Sequence, residues 1–186
     1  MTVEAIFSTG TEKMEKTIAQ MKKEFASIRT GRANPMMLDK VLVEYYGAPT
    51  PLRQLSQVSV QDGTTLVIAP FDKSILKEIE KALIKAELGV SPNNDGTTVR
   101  LNFPPLTEEK RKEITKDVKK YGEDAKIVVR NARRDMVDDL KKLEKEENLP
   151  EDMVKSTQDD IQKLTDKYVG IIDSLVVEKE KEVMTV

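Results

Sequence analysis

The 186-residue chain contains no cysteine, no histidine and no tryptophan, and aromatic residues make up only 4% of it. The missing residue types remove histidine-based acid–base chemistry, thiol nucleophiles and the ordinary zinc sites at one stroke. The absence of cysteine is compatible with a reducing compartment. The glycines are scattered and form neither GxxxxGK[ST], GxGxxG nor GxSxG. Paired acids occur at Asp138–Asp139 and Asp159–Asp160. Neighbours on a helix point about 100° apart, so neither pair converges on one substrate atom. No catalytic centre, cofactor or metal site is expected, and the chain reads as a non-enzyme. No apolar run reaches the length of a membrane span, and the glutamate-bearing N-terminal stretch lacks the apolar core of a signal peptide. The expectation is a soluble, cytoplasmic protein.

What is abundant is charge, 34% of the residues, with the Lys and Glu content of long helices. Helical rhythm dominates two regions. Phe7, Met14, Ile18, Met21, Phe25 and Ile28 form a heptad-like seam broken at Thr11. The rhythm resumes after Pro104–Pro105 with Ile114, Val118, Tyr121, Ala125, Val128, Ala132, Met136, Leu140 and Leu143, and again with Val154, Thr157, Ile161, Leu164, Tyr168, Ile171 and Leu175. Thr107 suits a helix cap, followed by Glu108 and Glu109 at the positive end of the dipole. Pro150 suits the first turn of the last helix. Three amphipathic helices, each with one stripe, bury those stripes together in a bundle. The second, about forty residues long, spans roughly 60 Å.

Between the first two helices the pattern changes. "KVLVEYYG" and "TTLVIAP" are β-rich, and Val99, Leu101 and Phe103 alternate with polar residues. Asp62–Gly63 marks a hairpin. One helix, Ser74 to Leu88, offers Ile75, Ile79, Ala82, Leu83 and Ala86 and stops at Gly89. The fold class is therefore α+β: a long antiparallel three-helix bundle, residues 1–30 and 107–186, with a small β/α/β domain inserted at 31–106. Chain crosses between them at Thr30–Gly31–Arg32 and Pro104–Pro105. Glycine ends the first helix and the double proline holds back the next, so these five residues form a two-stranded joint.

The net charge of −2 hides segregation: residues 107–134 carry ten basic and six acidic groups, residues 135–186 eight and fifteen. On a helical wheel Lys112, Lys116, Lys119, Lys126, Arg130 and Arg134 fall opposite the apolar seam, with Arg133 on its flank and Glu123 interrupting them. Ile127 and Val137 also point outward. A solvated face is served by lysine alone. The arginine cluster favours forked phosphate contacts, and the lack of aromatics there favours structured RNA over single strands.

"IRTGRANP", "VEYYGAPTPLRQL", "PPLTEEKRKEI", "VRNARRD" and "QDDIQKLTD", in this order and at these spacings, closely resemble the ribosome recycling factor family across essentially the whole chain. The resemblance implies an L-shaped molecule with a flexible hinge. It implies binding to the post-termination ribosome, on large-subunit ribosomal RNA, and splitting into subunits with elongation factor G and the GTP which that factor hydrolyses. Release of mRNA and deacylated tRNA accompanies the splitting. The chain itself is expected to be a monomer without cofactor or membrane partner. Carried onto this sequence, the RNA-contacting residues are Arg133 and Arg130, with Arg134 and Lys126 on the same stretch and Arg29 and Arg32 flanking the joint. Ala132 departs from the β-branched residue expected there. The alternatives are a helical ribosome-docking protein that passively blocks subunit association, and a coiled-coil adaptor.

Overall fold

The computed structural model describes residues 2–185. The chain divides into two compact units. One comprises the N-terminal stretch through Phe25 with Thr115–Lys181; the other comprises Ala26–Ile114 with the residues from Glu182 onward.

The first unit is built from three helices: α1 (Val3–Ala26), most of α4 (Glu108–Glu147) and most of α5 (Glu151–Met184). Side-chain pairs fix their directions. Lys13 meets Asp135 at 2.8 Å and Phe25 meets the edge of Tyr121, so α1 and α4 run antiparallel. Lys119 pairs with Glu180, Lys126 with Asp173 and Arg133 with Gln162, so α5 returns along α4. The turn between α4 and α5 uses Asn148 at φ 49°, and the Leu149 N–H donates to the Glu144 carbonyl, a left-handed helix stop made by asparagine.

The seams run in a different phase from the heptad reading. In α1 the buried positions are Ile6, Gly10, Met14, Ile18, Met21 and Phe25; Phe7 and Thr11 lie half-buried beside them, and Ile28 lies beyond the helix end. In α4 Gly122 and Val129 are buried, whereas Tyr121 is 43% and Val128 48% exposed. In α5 Thr165 and Ile172 are buried and Leu164, Ile171 and Leu175 are half-buried. The α5 positions from Val154 to Ile172 follow a 3-4-4 spacing, an eleven-residue repeat that drifts less per residue around a 3.6-residue helix than a heptad does. In α1 and α4 glycine hides part of the phase from hydrophobic counting. A Cβ on Gly10 would lie 2.1 Å from the Met136 sulfur, and one on Gly122 would lie 2.5 Å from Val176 Cγ2. These two positions hold close helix contacts that no apolar side chain announces.

The second unit carries β1 (Leu42–Tyr45) and β2 (Ala48–Pro51) as a two-stranded antiparallel sheet, and the one-turn helix α2 (Leu52–Leu55). Next come β3 (Ser56–Gln61), β4 (Thr65–Pro70), α3 (Leu76–Lys85), β5 (Pro92–Asn94) and β6 (Val99–Asn102). The four later strands form one antiparallel sheet in the order β3-β4-β6-β5. Asp72 caps the turn before α3, its carboxylate accepting from the Ser74 N–H, and α3 begins two residues later than the expected helix. Val43, Leu66, Ile68, Ile79, Leu83, Val99, Leu101 and Phe103 make the centre of the core. Ala86, assigned to the helix stripe from sequence, is exposed, because α3 ends at Lys85.

Candidate nucleic-acid interface

The middle of α4 is held from below by Ala125, Val129, Ala132 and Met136, all buried. Arg130 and Arg134, four residues apart, share the outer face, and Arg133 stands on its flank. All three arginines are exposed. Ile127, 51% exposed, lies one turn before Arg130 on that same face, while Val137 is half-buried rather than fully outward.

Three of the stripe's lysines are neutralised by acids, whereas exposed Lys116, like the arginines, has no carboxylate partner among the described residues. Lys112 pairs with Glu108 at 2.9 Å, and Lys119 with Glu180 at 3.5 Å. Lys126 pairs with Asp173 at 2.6 Å and Glu123 at 3.0 Å. The hydrogen bond to Asp173, then that to Glu123, pushes the Lys126 ammonium above its usual range. Its side chain is only 16% exposed, because with the seam at Ala125 and Val129 this position turns toward α5 rather than directly outward. Among the described residues, Arg130 and Arg134 make no hydrogen bond or ion pair, and Arg133 donates only to the neutral Gln162 carbonyl oxygen, at 2.7 Å. The neighbouring acid Asp135 is taken by Lys13. Three guanidinium charges therefore stand on two turns of helix without a carboxylate partner. Forked donors of this kind match phosphate oxygens in pairs.

Of the two arginines flanking Thr30–Gly31, Arg32 is exposed and has no partner among the described residues. Gly31 before it takes φ 87°, and the Ala33 N–H after it donates to the Gly63 carbonyl. Arg29 is placed differently. It is half-buried, donates from Nη2 to the Pro104 carbonyl at 2.5 Å, and lies over the Phe103 ring at 5.6 Å. Burial lowers its pKa. Sequence gave no signal for these partners, which lie some seventy-five positions away. Among the described residues no cluster of acids is arranged to hold a metal ion, and no helix is long and apolar enough to cross a membrane.

A family model described as ribosome recycling factor matches residues 21–184. The chain belongs to the ribosome recycling factor family. It is 57% identical to the ribosome-recycling factor of Bacillus velezensis over 94% of this chain and 95% of that one. It is 53% identical to that of a Geobacillus species over 99% and 100% of the two chains. A solution structure of a ribosome recycling factor superposes over the full chain and 99% of its own, with a TM-score of 0.82 at 37% identity. A second neighbour, covering both chains completely, has a TM-score of 0.67 at 41% identity; it is a T. thermophilus ribosome recycling factor described together with E. coli elongation factor G bound to the E. coli post-termination complex. The α+β architecture is thus that of the recycling factor family, and the arginine cluster on α4 lies within the matched region.

Proposed function

We propose that this chain recycles ribosomes. It binds the post-termination ribosome and, with elongation factor G and GTP hydrolysis by that factor, splits it into subunits, releasing mRNA and deacylated tRNA. Family membership over nearly the whole chain supports the activity. The observation that carries the RNA-binding surface is the set of guanidinium groups on α4 that lack carboxylate partners. Arg133, Arg130 and Arg134 contact large-subunit ribosomal RNA, and Arg32 extends that surface. Lys126 and Arg29 are engaged by internal partners. The helical residues 1–30 and 107–186 bind RNA; the insert, 31–106, takes the push from elongation factor G through the joint at Thr30–Arg32 and Pro104–Pro105. The nucleotide chemistry belongs to the partner, and the chain works in the cytoplasm as a monomer.

The test is a splitting assay on post-termination ribosomes, with and without elongation factor G and GTP, alongside binding at several salt concentrations. Splitting requires both. Dissociation that proceeds without them replaces this reading with passive blocking of subunit association. Arg133→Ala weakens ribosome binding by about 1.5–3 kcal/mol, the range for a hydrogen bond to a charged group. The same change lowers the slope of log affinity against log salt by about one. Melting temperature stays within the scatter of ordinary surface substitutions. Unchanged binding removes Arg133 from the interface, and a large loss of melting temperature makes it structural.

A further inference from the structure

The two chain crossings meet at one turn of the insert. The Ala33 N–H of the incoming segment donates to the Gly63 carbonyl at 2.9 Å, and the Phe103 N–H of the outgoing segment donates to the Thr64 carbonyl at 2.8 Å. Gly63 and Thr64 are consecutive residues in the turn between β3 and β4. Beyond Phe103 the outgoing segment cannot continue such a ladder on its own, because Pro104 and Pro105 supply no backbone N–H. The Pro104 carbonyl is instead held by the Arg29 guanidinium. Its guanidinium also covers the ring of Phe103, which is fully buried in the insert's core. The Nε is shut off from solvent with no partner among the described residues. A guanidinium arranged this way faces the protein, unlike those of Arg130 and Arg134.

Resting on the recycling reading, we propose that Arg29 is a positioning residue rather than an RNA contact: by bridging the incoming segment to Phe103 and Pro104, it clasps both crossings into one element, so that they turn together when the insert is pushed. Phosphate contact and clasp make opposite kinetic claims. A lost phosphate contact raises the protein concentration at half-maximal splitting and flattens the salt dependence of binding. A lost clasp leaves binding intact and lowers the maximal splitting rate.

The experiment uses full-length Arg29→Ala and Arg29→Met, with Arg133→Ala as comparator. Methionine keeps an unbranched stem over Phe103 and guards against a packing defect. Splitting is measured against protein concentration with elongation factor G and GTP, binding against salt, and amide exchange in the free protein. The clasp predicts a maximal rate about tenfold lower in both Arg29 variants, the scale of one hydrogen bond to a charged group. Half-saturation and salt slope stay within about twofold of wild type, and exchange at Ala33 and Phe103 accelerates. Arg133→Ala shows the reverse kinetic pattern and normal exchange at both amides. A wild-type maximal rate, a flattened salt slope, or unchanged exchange in the Arg29 variants overturns the clasp. Failure of the wild-type protein to split ribosomes overturns the recycling reading instead, and the exchange comparison still decides whether Arg29 ties the crossings.

Discussion

The two units bury their side chains in contrasting ways. Along α1, α4 and α5 one position in three or four turns inward, and those positions include Gly10, Gly122, Thr157 and Thr165. The threonine hydroxyls satisfy themselves by donating to the carbonyls of Met153 and Ile161, four residues back. In the insert, by contrast, the core is an aliphatic cluster drawn from two sheets, α3 and the loops, closed by Phe103. A seam takes small or polar residues where the facing helix comes close; in the insert the buried Ser56 is likewise satisfied, by donating to the Leu52 carbonyl. The helical unit leaves most of each helix outside, available for charge.

The comparison is broken most directly by core truncation. Ile161→Ala in α5 and Leu101→Ala in β6 each remove a fully buried side chain, and each costs about 2–5 kcal/mol. Residue-resolved amide exchange is expected to show each loss mainly in its own unit. Equal loss of protection in both after either change would make the chain one cooperative body. Glycine substitutions sharpen it next. Gly122→Val forces a branched side chain into Val176 and destabilises by about 1–3 kcal/mol. Gly170, with nothing within 4 Å of a built Cβ, becomes more stable as alanine by about 0.8–1 kcal/mol, the helix-propensity difference. Opposite shifts in melting temperature check the pair, and a Gly122→Val protein as stable as wild type would mean that the α4–α5 contact is looser than described.

The smallest effect belongs to the insert's Asp95. Its carboxylate accepts from the Thr98 and Thr97 N–H groups and from both hydroxyls, and these bonds, led by the Thr98 N–H, hold its pKa well below the aspartate range. Because the folded value is depressed, the carboxylate's contribution is present above the ordinary aspartate range and is lost as pH falls through the depressed value. Asp95→Asn is expected to flatten the acid limb of the stability curve slightly and to speed amide exchange at Thr97 and Thr98. An identical acid limb would show that the turn holds without its charge.

Much of this was legible in residues that state their own geometry. The Thr107 hydroxyl accepts from the Lys110 N–H as a cap should, β6 alternates buried and exposed, and Asp62 and Gly63 both take positive φ between β3 and β4. Helix phase was less legible, because Gly10 and Gly122 contact through absent side chains and the polar Thr165 lies in the α5 seam. Strand β2 escaped notice because Pro49 and Pro51 argue against a ladder; as one of only two strands in its sheet it tolerates them. The three arginines of α4 were visible as a cluster, but that Lys126 and Arg29 turn inward depended on Asp173 and Pro104, far away in sequence.

The meeting of Ala33 and Phe103 on consecutive residues of one turn bears on how the chain assembles. Before the insert forms, α1 and α4 are the ends of a loop of about eighty residues; once it has formed, the flexible connection between them shrinks to roughly ten. Loop-closure entropy falls by about 0.6 kcal/mol per halving of length, so three halvings lower the entropic penalty of bringing α1 to α4 by nearly 2 kcal/mol. An insert that folds early thus acts as a splint for the helices on either side of it, shortening the search by which a discontinuous bundle finds its own first helix.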